Sequence, residues 1–521
     1  MIPTQYEVVR QTLLVLLPEF LILAAAIAMM TAGAFVRLPR RVWSISAAVV
    51  LVAALFALLV LRHETTALYS AVALNDALSW YSRLFFLLTS LVLLGMAHDQ
   101  VDDARSAEFF GALLMIFAGS MLVAAANELV FLFVGLELVS IPTYLILYLP
   151  RRNASTQEAA TKYFYLSIFS SALALFGLAY LYGMVGVSNL KALGYLCRVA
   201  PDIPVEFALI AVVFVTAGLG FRVAAVPFHF YAPDVYQGSP AVIAALLAWI
   251  PKAVGFVAIL RVLTSVLAGT EVSSKAITLV WIIAVVTMTL GNFVALQQQN
   301  LKRLFAYSSI AHAGYLMVGV AVAFYNNPAS TGNFLGSQGI LFYLVAYALM
   351  TLGAFAVIIA LSSTDRTIET VDDFAGLGWS RPLMAFAMAL CLFSLAGVPP
   401  MAGFWGKFYI FASAFAVGTD EETRMFRWLA VIGVLNAAVG AYYYLRIVVM
   451  MYLRAPETAA PRNRVAWPTA AAAGFCASLS LLVGIYPPPV ARATHAAALA
   501  AIAAPAPQPA QTAAVETTPV H

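Results

Sequence analysis

The sequence has little charge. Only 10% of its 521 residues are charged and 63% are hydrophobic, whereas a soluble domain usually carries about a quarter of its residues as charges. So little charge cannot cover so apolar a core in water, and the mean hydropathy is +0.92. The net charge of +4 is too small to suggest a nucleic-acid partner. The composition therefore indicates an all-α polytopic membrane protein, with the lipid bilayer as its solvent.

Several chemical motifs are missing as well. The three cysteines, Cys197, Cys391 and Cys476, lie far apart without CxxC spacing, so they form no metal, iron–sulfur or disulfide framework. The sequence has no haem-attachment motif, no glycine-rich phosphate loop and no soluble domain of useful size. We expect this chain to bind no cofactor or metal, so any nucleotide or electron carrier must bind elsewhere. The first apolar run lacks a basic leader and is too long for a cleaved signal.

Long apolar runs dominate what is present. A spanning helix needs about 20 mostly apolar residues, and the sequence has about fourteen such runs. They are predicted at 12–36, 42–62, 79–98, 107–126, 128–149, 159–184, 205–226, 239–264, 275–297, 301–323, 336–362, 382–416, 426–452 and 466–486. The run at 382–416 is too long for a simple span. The segment 487–521 is rich in alanine and proline, which predicts a disordered tail.

Basic residues in the loops predict the orientation. They follow the first, fifth, ninth and thirteenth runs: Arg37, Arg40 and Arg41; Arg151 and Arg152; Lys302 and Arg303; Arg454, Arg462 and Arg464. If the count of runs is right, all these loops lie on one side, which the positive-inside rule makes cytoplasmic. Both termini are then predicted to be periplasmic.

Ionisable side chains lie inside several runs, where each costs at least about 2.5–3.5 kcal/mol and suggests function. The candidates are Glu137, Arg222, Lys252, His312 and Lys407. The alternative for each is snorkelling or a static ion pair, and for Arg222, near a helix end, a structural role is the main alternative. Glu19 also lies near a helix end, and we assign it a structural role. One acid and several bases on separate helices favour a relay.

Prolines accompany two of these cations. Pro227 follows Arg222 by five residues, and Pro399 and Pro400 precede Lys407. Proline breaks or kinks a helix, and broken helices in corresponding positions of two halves suggest an inverted repeat. We predict N-terminal helices 1–3 in residues 1–106, a first repeat in 107–264, a second in 275–452 and helix 14 in 453–486. Arg222 and Lys407 are then predicted to be repeat partners.

Five stretches resemble one known family. They are VPFHFYAPDVYQGSPAVIAALLAWIPKA, LVFLFVGLELVSIPTYLIL, EAATKYFYLSIFSSALALFG, LKRLFAYSSIAHAGYLMVG and LAGVPPMAGFWGKFYIF. Together they resemble the antiporter-like subunits of the proton-pumping NADH:quinone oxidoreductase, respiratory complex I. The PDVYQGSP stretch favours the subunit N branch over L, M and the sodium/proton antiporter subunits. The similarity spans roughly residues 10–485.

The resemblance implies fourteen helices with two inverted five-helix repeats, each holding a half-channel. It makes Glu137 the acid of an ion pair, Lys252 the central proton carrier and Lys407 the lysine of the broken twelfth helix. His312 would lie between the two halves. The family usually has lysine where this chain has Arg222. Arginine keeps the charge but practically never releases its proton, so Arg222 can tune Glu137 without carrying protons.

The resemblance also implies the setting. The chain would be a translocase subunit of the bacterial cell inner (plasma) membrane, without a redox centre of its own. NADH, FMN, iron–sulfur clusters and quinone would bind to other subunits. An M-like antiporter subunit and small K-like and J-like subunits would be its neighbours.

Three alternatives remain open. An Mrp-type sodium/proton antiporter subunit predicts sodium-dependent exchange without NADH oxidation. The equivalent subunit of a ferredoxin- or F420-linked complex differs only in the electron donor, which other subunits bind. A structural scaffold that has lost transport predicts that neutralising Lys252 and Lys407 changes nothing.

Overall fold

The chain is built from α-helices. The computed structural model describes residues 5–63, 71–150, 153–199, 205–267, 272–325, 335–362, 368–421, 423–455 and 466–502. In these residues, isolated β-bridges between loops are the only extended pairing beside the helices. A chain in lipid must satisfy its backbone hydrogen bonds internally, and helices do so within each segment. The predicted all-α polytopic fold is confirmed.

Four helices precede the repeated part of the chain. They are α1 Gln5–Val15, α2 Leu17–Phe35, α3 Arg40–Val60 and α4 Ala77–Ala97. α1 and α2 together cover the predicted first run. Pro18 lies in the first turn of α2, where its missing N–H leaves no helical hydrogen bond unmade.

Two halves of seven helices follow, in the same order. The first consists of α5 Ser106–Ala125, α6 Leu129–Tyr148, α7 Ala154–Val185, α8 Leu190–Val199, α9 Val205–Val223, α10 Ala232–Gly238 and α11 Ala241–Leu267. The second consists of α12 Ser273–Leu296, α13 Leu301–Tyr325, α14 Gly336–Leu361, α15 Leu377–Ser380, α16 Pro382–Ala396, α17 Ala402–Ala416 and α18 Arg424–Leu453. In each half, three long helices precede a short helix, a broken helix and a final long helix.

A β-bridge recurs at the same place in both halves. Glu128, before α6, pairs with Asn189 after α7, and Asn300, before α13, pairs with Thr370 after α14. If the broken helix counts as one crossing, each half crosses the membrane five times. Because five is odd, the second half begins on the opposite side from the first, as an inverted repeat requires.

Both predicted breaks are present. α9 ends at Val223 and α10 begins at Ala232, so Pro227 lies in the gap; α16 ends at Ala396 and α17 begins at Ala402, so Pro399 and Pro400 lie in the gap. The predicted run at 382–416 is therefore two helices. Broken helices in a membrane are tolerated where they are buried in protein or line a polar cavity.

The predicted number of spans also holds. In the described part of the chain, thirteen helices are long and apolar enough to cross a membrane, and α16 with α17 supplies a fourteenth crossing. Four crossings separate each basic loop from the next, so the loops after α2, α6, α12 and α18 share one face. Arg151, Arg152, Arg462 and Arg464 lie outside the described residues.

The prediction of a disordered tail from 487 onward is wrong for its first part. After α19 Trp467–Ile485, residues Pro488–Ile502 form α20. Alanine is the best helix former, and proline is tolerated in a first helical turn. Thr494, Ala497 and Ala498 are buried, so packing adds to this propensity. Residues 503–521 lie outside the described residues.

Helix packing relies on small residues, and Gly177 gives a test of it. A Cβ atom on Gly177 of α7 would lie 2.6 Å from the backbone nitrogen of Val215 in α9, whereas a Cβ on Gly183 of α7 would meet nothing within 4 Å. Small residues let membrane helices approach closely. We expect Gly177→Ala to lower the melting temperature of the detergent-purified protein. Gly183→Ala is the matched control and should leave it unchanged or raised, and equal effects of the two would contradict this packing.

Candidate functional site

Lys252 lies at the centre of the molecule. It is on α11, a helix enclosed on all sides, and only 1% of the residue is exposed. Its Nζ donates hydrogen bonds to the Ser309 carbonyl and, at 2.6 Å, to the Ser309 Oγ. The Nζ also lies 4.9 Å from the centre of the Tyr347 ring. No carboxylate in the described ranges pairs with Lys252, so neutral oxygens and a ring are its only stabilising partners there.

Ser309 connects Lys252 to the neighbouring hydroxyl groups. It lies on α13, and its Oγ accepts a hydrogen bond from the Tyr347 hydroxyl at 2.8 Å. The Tyr236 hydroxyl, from α10, is 3.5 Å from the same Oγ. All three side chains are buried. Three helices from both halves therefore bring hydroxyl groups to the amine.

His312 lies one helical turn beyond Ser309 on α13. Its Nε2 is 2.9 Å from the Tyr444 hydroxyl, and its Nδ1 is hydrogen-bonded to the Tyr343 hydroxyl. Ser308 Oγ is hydrogen-bonded to the same Tyr444 hydroxyl. His312 is 1% exposed. Each ring nitrogen therefore has a hydroxyl partner that can donate or accept.

A chain of polar groups continues from His312. The Tyr443 hydroxyl donates to Asn292 Oδ1 at 3.1 Å and lies 3.4 Å from the Tyr444 hydroxyl. Asn292 Nδ2 donates to the Tyr315 hydroxyl at 2.8 Å. The Tyr315 ring centre lies 5.3 Å from Lys407 Nζ. Polar side chains thus extend from His312 to the surroundings of Lys407.

Lys407 lies in α17, just after the second break. Its Nζ donates to the carbonyls of Leu395 and Ala396, each at 2.9 Å. These are the last carbonyls of α16, which lack helical partners and lie at the negative end of the helix dipole. Gly397 has φ of +88°, and a Cβ there would lie 3.2 Å from Nζ. The turn after α16 thus leaves room for the ammonium group.

Glu137 and Arg222 form an ion pair in the first half. Arg222 Nη2 is 3.1 Å from Glu137 Oε1, with 5% and 22% of the two side chains exposed. Ser171 donates to the same carboxylate oxygen at 2.5 Å. Arg222 Nη1 donates to the Leu136 carbonyl and the Ser140 hydroxyl. The guanidinium is therefore tied to α6 by several bonds besides the ion pair.

The ion pair lies next to the helix of Lys252. A Cβ on Gly255 of α11 would be 3.4 Å from the Arg222 Cβ and 2.6 Å from a methyl group of Val223. Gly255 is three residues, about one helical turn, from Lys252. The chain segment that carries Arg222 therefore packs against α11 about one helical turn from Lys252, whereas the guanidinium itself lies on α6.

The expectation that Arg222 and Lys407 are repeat partners is wrong. Arg222 lies in α9, before the first break, whereas Lys407 lies in α17, after the second break. The two cations therefore occupy different positions relative to the broken point. Proline spacing in the sequence does not reveal this, because a break tolerates a cation on either side.

Several residues of the site were not predicted from the sequence. They are Tyr236, Asn292, Ser308, Ser309, Tyr315, Tyr343, Tyr347, Tyr443 and Tyr444. A hydroxyl group costs little free energy in an apolar helix, so these residues do not stand out in the sequence. The available signals were Tyr343 and Tyr347, spaced one turn apart in an otherwise apolar helix, and a serine doublet one turn before His312.

Two further buried ion pairs lie outside this array. Arg83 binds both carboxylate oxygens of Glu19 at 2.6 Å, and Arg261 binds both oxygens of Asp76 at 2.6 Å. These bidentate pairs join the first helices to each other and to α11, which agrees with a structural role for Glu19. The described residues contain no group of three or more His, Cys, Asp or Glu side chains suited to a metal ion.

Fourteen crossings, two broken helices and two buried lysines with polar side chains between them define the class of antiporter-like membrane subunits. Residues 126–437 match the family model described as NADH:quinone oxidoreductase/Mrp antiporter, TM. The NADH-quinone oxidoreductase subunit N of Trichlorobacter lovleyi is 38% identical over 91% of this chain and 94% of that protein. The chain therefore belongs to the NADH:quinone oxidoreductase/Mrp antiporter membrane family, in its subunit N branch.

Other similarities agree with this assignment. A chain of the respiratory complex I from Thermus thermophilus with bound aureothin superposes with a TM-score of 0.74 at 32% identity, covering 91% of this chain and 99% of that one. The F(420)H(2) dehydrogenase subunit N of Methanosarcina mazei is 34% identical over 94% of this chain and 99% of that protein. The branch therefore includes proteins whose names carry different electron donors.

The Glu137–Arg222 pair generates a stability prediction. Arg222→Ala leaves a largely buried carboxylate without its cation, which costs about 3 kcal/mol, the lower end for a broken buried pair because Glu137 is partly exposed. Thermal unfolding in detergent should show a lower melting temperature, and adding Glu137→Gln should recover part of the loss. Arg424→Ala, at an exposed pair with Glu421, is the control and should change little. A double variant no more stable than Arg222→Ala would contradict the pairing energetics.

Proposed function

We propose that this chain moves protons through the membrane arm of a bacterial proton-pumping NADH:quinone oxidoreductase, as its subunit N. The observation that carries the proposal is Lys252, an enclosed amine that is held by neutral oxygens and has no carboxylate partner among the described residues. A charge in such a place is costly. An amine that can gain and lose its proton avoids a permanent cost, whereas a purely structural lysine would bear it continuously.

The route runs from Lys252 toward Lys407. Lys252 passes its proton to the hydroxyls at Ser309, and His312 receives it through the tyrosines of α14 and α18. No direct hydrogen bond between described residues joins Ser309 to His312, so water would complete this step. Tyr443, Asn292 and Tyr315 then extend the polar chain to the lysine of the second break.

The Glu137–Arg222 pair acts as the switch. When Glu137 holds Arg222 closely, the guanidinium charge is neutralised and Lys252 can keep its proton. When the pair loosens or Glu137 takes up a proton, Arg222 repels the charge on Lys252, which is about one turn from Gly255, the residue that packs on Arg222. Redox energy released elsewhere in the complex drives the opening.

The assembly supplies what this chain lacks. NADH, FMN, iron–sulfur clusters and quinone are bound by other subunits, and this chain has no redox centre. An M-like antiporter subunit and small K-like and J-like subunits are its neighbours in the inner membrane. The basic loops face the cytoplasm by the positive-inside rule, so both termini are periplasmic.

The relative in Methanosarcina mazei favours one second candidate. A reduced-F420-linked complex would use the same membrane chemistry with another donor. The NADH-linked relative is more similar to this chain, 38% against 34% identity. Membranes that contain the complex should therefore oxidise NADH with quinone, and oxidation of reduced F420 in place of NADH would favour the second candidate.

Lys252 gives the decisive test. Lys252→Met and Lys252→Arg should both abolish proton pumping by the assembled complex, because methionine holds no proton and arginine does not release one. Proton uptake into inverted vesicles per NADH oxidised is the measurement. Lys275→Met removes an exposed lysine and is the control, with pumping unchanged. A normal proton-to-electron ratio in the Lys252 variants would refute the proposal.

Arg222 has a different expected behaviour. Arg222→Lys should keep pumping close to normal, since a cation still faces Glu137. Arg222→Ala should lower the proton-to-electron ratio, because Lys252 loses the charge that controls its proton. Unchanged pumping in well-assembled Arg222→Ala would remove the pair from the mechanism.

A further inference from the structure

The seven-residue helix α10 has one face toward water and one toward Lys252. Asp234 is half-exposed and Gln237 is exposed, whereas Val235 and Tyr236 are buried, with Tyr236 only 3% exposed. The helix forms the second part of the first broken helix. It lies between α7 and α13, on the face of the basic loop that precedes α13. This helix of about two turns therefore carries side chains at the surface and side chains in the interior.

Charged groups hold the outer face of α10. Asp234 Oδ1 pairs with Arg303 of α13 at 2.7 Å, and its Oδ2 pairs with Lys162 of α7 at 2.7 Å. Lys162 also pairs with Glu158 at 2.7 Å, one turn away on the same helix. Arg303 donates a further bond to the Gln237 side chain at 3.0 Å. Asp234 thus ties α10 to both neighbouring helices.

The end of α10 is held as well. Lys302 Nζ donates to the Gln237 carbonyl at 2.5 Å and to the Ser239 carbonyl at 2.7 Å. Thr156 donates to the Gly238 carbonyl at 3.0 Å. A Cβ on Gly238 would lie 2.6 Å from the Ser155 carbonyl oxygen. The end of the short helix is therefore fixed against α7 with little free space.

The inner face of α10 reaches the central amine. The Tyr236 hydroxyl lies 3.5 Å from Ser309 Oγ, and Lys252 Nζ donates to the same Oγ at 2.6 Å. Tyr236 is only two residues from Asp234. Any rotation or lifting of α10 would move the tyrosine hydroxyl relative to Ser309. The surface carboxylate is thus one of the groups that hold the Tyr236 hydroxyl beside Ser309.

We propose that Tyr236 is the hydroxyl through which protons reach Lys252 from the basic-loop face, and that Asp234 is the positioning residue that keeps it there. A proton from water binds the Tyr236 oxygen while the hydroxyl proton moves to Ser309 Oγ. Ser309 in turn releases its hydroxyl proton to the neutral amine of Lys252, so no net charge is left on either hydroxyl. The inference rests on the proposed function of Lys252.

The test uses the assembled complex in inverted vesicles, over a range of pH on the basic-loop face. Tyr236→Phe removes only the hydroxyl and should slow proton pumping about a hundredfold, the low end of the usual effect of a positioned proton-transfer group. The loss should grow as pH rises, because protons become scarcer at the uptake side. Asp234→Asn should show the same pH dependence more weakly, and Asp234→Glu should restore pumping.

Matched controls separate positioning from general damage. Tyr231→Phe removes another buried hydroxyl of the same segment, which donates to the Phe221 carbonyl at 3.0 Å, and should leave the pH profile unchanged. Glu158→Gln removes the other partner of Lys162 and should also leave it unchanged. If Asp234→Asn fails to assemble, Tyr236→Phe alone decides.

The outcomes distinguish this inference from the proposed function. Normal pumping by Lys252→Met would overturn both. Loss of pumping in Lys252→Met together with a wild-type rate and pH profile in Tyr236→Phe would overturn the role of Tyr236 alone. An equal fall in rate at every pH for Tyr236→Phe and Tyr231→Phe would also overturn it, because it indicates damaged packing.

Discussion

The structure depends on the burial of an amine where no carboxylate of the described residues balances it. Lys252 lies on a helix that is enclosed on all sides, and its Nζ donates two hydrogen bonds to Ser309. A permanent charge there would be costly, and the surrounding hydroxyl groups can hydrogen-bond the amine in either protonation state. The enclosing helices bury the amine, and the tyrosines and serines around it supply exchangeable protons. The two breaks and the Glu137–Arg222 pair are interpreted below by their relation to this lysine.

Each broken helix has a buried cation close to its break. Arg222 lies in the last turn of α9, and Lys407 bonds to the last carbonyls of α16. The two cations lie on opposite sides of their breaks, and their partners differ as well. Lys407 is stabilised by the negative end of the half-helix that precedes its break, whereas the guanidinium of Arg222 bonds to α6 and Glu137. Proline spacing alone predicts the two breaks but neither the position nor the partners of the cation beside each.

The sequence predicted what depends on composition and missed what depends on contact. Fourteen crossings and two breaks follow from apolar runs and prolines, and Lys252 stands out because charge is rare in such runs. Ser309, Tyr236 and Tyr347 do not stand out, because a hydroxyl costs little in a helix and its importance appears only when distant segments meet. The same holds for Asp76 and Arg261, which are 185 residues apart. α20 was missed because composition typical of linkers also favours helix when a surface is present to bury its alanines.

In the proposed function, the arginine at position 222 constrains how protons reach Lys252. A guanidinium does not give up its proton, so the polar groups that surround Arg222 on α6 can set the local field but cannot pass protons through it. Uptake then needs another polar connection between the surface and Ser309. The two faces of α10 offer one, with Asp234 outside and Tyr236 inside. Under the proposed function, arginine in place of lysine is compatible with transport, because control of the amine and supply of its proton lie on different helices.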